Sequence, residues 1–160
     1  MSTLLVIATI TAILGSALIG GVFFAFSNFI MKALDRMPPS EGTLAMQTIN
    51  ITVLNPGFLG VFTGTALIGV VLAIAAIVGW GSPYSPYLLG GAVAYVGGTW
   101  FVTVLGNVPL NNKFAAVKPE VSESTEVWEH YLDHWTRLNT RRAGAALLAA
   151  VLFSIGLIHA

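Results

Sequence analysis

Five residues near the end of the chain, Trp128, Tyr131, Trp135, Asn139 and Arg142, follow one another at intervals of three or four. On a helix of about 100° per residue they fall within an arc of ~80°. Val127, Leu132 and Leu138 border the arc, and Phe153 continues it. Such a stripe combines flat apolar faces, an amide that both donates and accepts, and a guanidinium suited to an anion. An arginine on a packed face needs a partner, and no acid shares this face. Its partners are then carbonyls, asparagines or an anionic ligand. The alternative is structural: Arg142 snorkels to an interface and Asn139 bridges helices.

A second group matches the first. Trp100, Val104, Asn107 and Asn111 lie within about 60° of each other on a helix. Pro109 frees the carbonyl of Leu105, and Asn50 or Asn55 can reach the same level. Two tryptophans, several asparagines and one arginine would make a pocket for a flat, apolar molecule with a few oxygens. His130 and His134 stand at metal-ligand spacing with Glu126 one turn earlier. Both point to the charged side of the wheel with Glu123, Glu129, Asp133, Arg137 and Arg141, where i, i+4 pairing explains them. No metal site is assigned.

The elements that carry these residues belong to a membrane. The 160 residues are 56% hydrophobic and 9% charged, where a soluble domain is roughly a quarter charged. Lys32, Asp35, Arg36 and Glu41 form one charge window, and Lys113 to Arg142 hold all the other charges. The long uncharged stretches between them read as spans at about 4–32, 57–78, 87–105 and 143–158. Gly79 to Pro86 breaks the longest stretch with Gly, Pro, Trp and Tyr. Residues 1–31 lack a basic leader and a cleavage site, so they read as an uncleaved first span. The expectation is one all-α domain over 1–160, a transmembrane four-helix bundle in the cell membrane. Segments 33–56 and 106–142 then share a side with every Lys and Arg, which the positive-inside rule makes cytoplasmic, with both termini outside.

Within this frame, Ser40 is the expected N-cap of a helix from Glu41, kinked at Asn55-Pro56. The wheel over 123–142 joins span four, predicting one long last helix that extends into the cytoplasm. Ser16 and Gly20, Ala17 and Gly21, Gly60 and Gly64, and Ala94 and Gly98 are small pairs that permit close helix packing. Net charge is zero and no cysteine is present, which removes nucleic acid as a partner and thiolate chemistry as a mechanism. No acid, base or histidine falls mid-span, which argues against a proton relay or an ion-coupled transporter. Partners are the lipid bilayer and a flat aromatic small molecule. A charged helix face of mixed sign also suits a membrane partner or a homo-oligomer.

The motifs Gly21-Val22-Phe23-Phe24-Ala25-Phe26-Ser27-Asn28-Phe29, Asn55-Pro56-x-Phe58, Asn107-x-Pro109-x-Asn111 and Trp128-x2-Tyr131-x3-Trp135-x3-Asn139-x2-Arg142 resemble the anthrone oxygenase-like family. That resemblance implies a four-helix membrane protein and, as in the fungal members, oxidation of anthrones to anthraquinones by molecular oxygen. It implies no cofactor, neither metal nor flavin. Carried over by motif position, Trp128 and Trp135 line a slot, Asn107, Asn111 and Asn139 hold substrate oxygens, and Arg142 stabilises the anion. Asn139 and Arg142 are thus the candidate catalytic pair. Trp128, Tyr131, Trp135, Asn107, Asn111, Asn50, Asn55 and Trp100 are the candidate substrate-binding set. Leu138 and Thr140 stand where many relatives have Trp and His, so the resemblance supplies no histidine base here. A non-enzymatic protein that binds a lipid- or quinone-like ligand, or serves as a subunit of a larger complex, fits the same residues.

Overall fold

The computed structural model describes residues 1–119 and 124–160. Among them there are five helices and no strand: α1 Thr3–Asp35, α2 Pro39–Thr52, α3 Pro56–Val78, α4 Ser85–Ala115 and α5 Ser124–Ile158. All but α2 are long and apolar enough to cross a membrane. The chain is a transmembrane four-helix bundle. α1 packs on α3 and α5, and α4 packs on the same two, which closes a ring of antiparallel neighbours.

Both faces of these helices are apolar, so the inside is marked by small residues and tight approach rather than by hydrophobicity. Leu14, Leu18, Leu67, Ile74 and Leu148 point outward, as lipid-facing residues do. Inward, Ala12, Ser16, Ile19 and Phe23 of α1 meet Phe62, Ala66, Tyr95, Ala146 and Phe153. Gly98 shows what the seam demands, because a Cβ there would lie 2.6 Å from that of Ala145. Of the four expected small pairs, Ser16/Gly20 lies inside, and Gly98 brings α4 against α5. Gly21 and Gly60 have open space around them instead.

The lengths of the helices create the site. At 1.5 Å per residue α3 is ~35 Å long, close to the ~30 Å hydrocarbon core. α1, α4 and α5 are longer by ten, eight and twelve residues than α3's 23. They overreach the core at the charged end, where α3 has no counterpart. α2 packs there against α1, α4 and α5. α5 is one helix from the amphipathic segment through the last span, as the wheel predicts.

Several boundaries differ from expectation. α2 starts at Pro39 with Pro38 as cap, not at Glu41 capped by Ser40, because the fixed φ of a proline suits the first helical position. Pro56 does not kink a continuous helix. α2 ends at Thr52, and Asn55 caps α3 by accepting from the Phe58 N–H at 3.0 Å, leaving Pro56 at N1. The helix that carries the third span continues beyond Leu105. α4 runs on to Ala115 through two π-wound stretches, Val93–Phe101 and Thr103–Asn107. A third, Phe26–Ile30, lies in α1. Each π turn takes one extra residue per hydrogen bond, so the turns before Pro109 absorb its missing N–H without ending the helix.

Candidate functional site

The charge map has one inward exception. Every described Asp, Glu, Lys and Arg side chain is exposed except Arg142, which is 5% exposed. This includes Lys32, at the end of the first span. Glu123 lies outside the described residues.

Arg142 sits where α1, α4 and α5 meet. Its guanidinium carbon lies 3.8 Å from the centre of the Phe23 ring and 5.1 Å from that of Trp135, a cation–π arrangement in a dry setting. Nε and Nη2 donate to Asn139 Oδ1 at 3.1 and 2.8 Å, and Nη1 donates to Thr103 Oγ1 at 3.1 Å. Thr99 Oγ1 donates to the Arg142 carbonyl at 3.0 Å. Three of the five guanidinium N–H groups are thus used. No described carboxylate pairs with it, since the described ion pairs are those of Asp133 with Arg137 and His134. The charge is held by neutral groups alone.

Asn139 is the fixed part of this pair. Its Nδ2 donates to the Phe23 carbonyl at 2.6 Å and to Ser27 Oγ at 2.7 Å. Ser27 Oγ also accepts from Thr140 Oγ1 at 2.9 Å. With Oδ1 on the guanidinium, the amide has no capacity left for a ligand. The π turn at Phe26–Ile30 follows Phe23 directly and brings its carbonyl and Ser27 to this one side chain.

Beside Arg142 lies a cavity of about 460 Å³. Its walls include Phe23 and Phe26 of α1, Met46, Gln47 and Asn50 of α2, and Phe58 and Phe62 of α3. Trp100, Thr103, Val104 and Asn111 of α4 and Trp135 of α5 complete it. Phe58 and Phe62 are stacked with centroids 5.9 Å apart, and Phe23 meets both edge-on. Trp135 is buried, and its indole N–H has no protein partner. An unpaired buried donor is rare in folded proteins, and here it belongs to a residue of the cavity wall.

The candidate residues divide over this geometry. Arg142, Trp135, Trp100, Asn111 and Asn50 line the cavity. Asn139 stands behind Arg142. Tyr131 stands behind the two amides: Asn50 Nδ2 donates to its hydroxyl at 3.0 Å, and the hydroxyl donates to Asn111 Oδ1 at 2.7 Å. Three others do not line the cavity. Trp128 packs in a lower aromatic cluster with Phe114. Asn107 is fully buried and donates to the Trp135 carbonyl at 3.3 Å, because the π turns rotate it away from the row of Trp100 and Asn111. Asn55 is spent on the α3 cap.

Sequence reasoning missed Phe23, Phe62, Thr103 and Gln47. Phe23 and Phe58 occur in quoted motifs, but no charge or periodicity marks them in helices that are apolar all round. The histidine pair stacks on the exposed face of α5 with ring centroids 4.0 Å apart. Among the described residues no three metal-ligating side chains meet.

Comparison with curated proteins and with solved structures finds no significant match. The family described as anthrone oxygenase matches residues 58–152, which contain α3, α4 and the Trp128-to-Arg142 stripe. That match covers more than half of the chain, and the chain belongs to the anthrone oxygenase family.

Proposed function

We propose that the cavity binds a flat, lipophilic molecule with an ionisable oxygen, and that the protein oxidises it with molecular oxygen without metal or flavin. The observation that carries this reading is the buried guanidinium of Arg142, which has neutral partners and a face on a largely apolar cavity. Such a charge is costly unless something negative joins it. An enolate or phenolate oxygen would complete its set, with the free indole N–H of Trp135 as a second donor. Trp100, Phe58 and Phe62 offer faces for the rings.

For an anthrone, loss of one proton from the methylene carbon gives an enolate beside Arg142. An electron passes from this carbanion to O2, and the two radicals join as a carbon–oxygen bond. The peroxide anion so formed takes up the proton lost in the first step, and the hydroperoxide then loses its remaining C–H proton to the departing hydroxide as the O–O bond breaks. One oxygen atom stays as the quinone carbonyl and the other leaves as water. Arg142 acts on the anion, and Asn139 is a positioning residue that holds Arg142.

A second reading has its own support. Among the described residues no Asp, Glu or His lines the cavity, so these offer no conventional base. A substrate acidic enough to ionise in water needs none, and neither does a non-enzymatic lipid- or quinone-binding protein or a subunit of a larger complex. Oxygen uptake and quinone absorbance with an anthrone separate the two. Under the oxygenase reading, Arg142→Gln lowers the rate about a hundredfold. An unchanged rate refutes the pocket assignment. Binding of the anthrone with no oxygen uptake selects the second reading.

The same proposal places the charged end of the bundle, and with it the cavity, on the cytoplasmic side. A reporter fused after Ala160 that is active only in the cytoplasm would reverse this orientation.

A further inference from the structure

The cavity has an asymmetric rim. Seven of its lining residues are exposed, and five of these are large aliphatics: Ile51, Leu54, Leu59, Val104 and Val108. Asn112 and Ala115 are the other two. Among the described residues Arg142 is the only charged one in the lining, and it lies inside. Ile51 and Leu54 at the α2–α3 corner are 73% and 66% exposed. A mouth that opened to water beside so many charges would be expected to carry some of them. A groove on another side of α5 does: it is lined by Lys32, Asp35, Glu129, Asp133 and Arg137. The two openings lie at the same end of the bundle and face different surroundings.

The outer face of α2 agrees. Leu44 and Ile51 are seven residues apart, within about 20° on a helix, and are 59% and 73% exposed. Together with Leu54 they form an apolar strip with no protein cover, and its continuation is the cavity rim. Such a strip at the end of a transmembrane bundle suits the boundary of headgroups and acyl chains.

We propose that the cavity opens laterally into the bilayer, between the α2–α3 corner and α4, and receives a lipophilic monoanion already dissolved in the membrane. The apolar body passes between Leu54 and Leu59 on one side and Val104 and Val108 on the other. The anionic oxygen travels to Arg142, the one cation among the described lining residues. The proposal rests on the ligand reading of the same cavity. It adds the route and the requirement that the ligand partition into lipid before it binds.

Anthracene-9-carboxylate, a flat apolar monoanion, is a suitable probe. The full chain is reconstituted in vesicles, and association is followed by stopped-flow quenching of tryptophan emission. At a fixed aqueous concentration of probe, vesicles with enough added cholesterol to halve the partitioning of the probe should lower the observed association rate about twofold. Val104→Phe and Leu59→Phe, which narrow the rim, should each slow association and dissociation about tenfold while changing their ratio less. Arg142→Gln should instead weaken equilibrium binding. A rate that follows the aqueous probe concentration and ignores both rim variants overturns the lateral route alone. No binding to the wild type, or binding untouched by Arg142→Gln, overturns the ligand reading and the route with it.

Discussion

The aromatic stripe on α5 has two halves with different fates. In the lower half, Trp128 and Tyr131 close on Phe114, with centroids 5.8 and 3.9 Å from it, and on Met31, Leu34 and Met46. All of these are buried, and the space is filled. In the upper half, Trp135 and Arg142 face a cavity, one N–H is unpaired, and a charge has no counter-ion among the described residues. Residues at the same helical spacing thus serve packing at one level and leave a vacancy at the next. The difference comes from the neighbours. α2 and the end of α4 reach the lower level and pack it, whereas at the upper level α3 begins late and turns Phe58, Leu59, Phe62 and Thr63 toward the gap. Satisfied groups give stability. Unsatisfied groups in a defined cavity cost stability and are the better candidates for function.

The largest effect should come from the filled half. Trp128→Ala should cost about 3–5 kcal/mol by opening a void among rigid neighbours, read as unfolding in mixed micelles. The folded fraction should still bind anthracene-9-carboxylate; intact stability with lost binding would reverse the roles of the two halves. Gly42→Ala is the next. A Cβ there would stand 2.9 Å from the Leu34 carbonyl and 3.0 Å from the Trp128 ring, so overpacking should cost about 1–3 kcal/mol. A neutral result would mean that the cluster is looser than its burial implies.

Tyr131→Phe tests the seam between the halves. It removes the hydroxyl that joins Asn50 to Asn111, which should cost about 1–2 kcal/mol. It also releases two amides into the cavity, so probe affinity should shift while the aromatic packing stays. The smallest effect is expected from Ser27→Ala, which removes an acceptor used by Asn139 and Thr140. Stability should fall by about 1 kcal/mol, and probe affinity should weaken a few-fold as Asn139 loosens its hold on Arg142. Unaltered affinity would separate Ser27 from the site.

Much of this plan could be read from residues. The absence of charge outside two windows marks the spans, and an unbroken helical period joins 124–142 to the last span. The same period turns Arg142 inward, because the other charges on α5 lie on the opposite arc. What could not be read has two physical sources. Helices that are apolar on every side carry no amphipathic signal, so Phe23 and Phe62 look no different from lipid-facing Phe24 and Phe29. Small residues mislead similarly: Gly20 is packed and Gly21 is open. The π turns break the 100° rule that placed Asn107 beside Asn111, and nothing local announces them except Pro109 just beyond. The sequence cannot show that the Asn139 amide is fully bonded within the protein, because a free amide and a bonded one have the same letter.

The account rests on Arg142 being held at a cost to stability for the sake of a ligand. Arg142→Met keeps the bulk of the side chain and removes the buried charge. Unfolding of wild type and variant in the same mixed micelles, with and without anthracene-9-carboxylate, tests this directly. The account predicts that without probe the variant is as stable as wild type or more so, as for other buried charges replaced by apolar groups. It also predicts that the probe stabilises the wild type alone. A variant that loses about 3 kcal/mol or more, or one that the probe stabilises as well as the wild type, would contradict it.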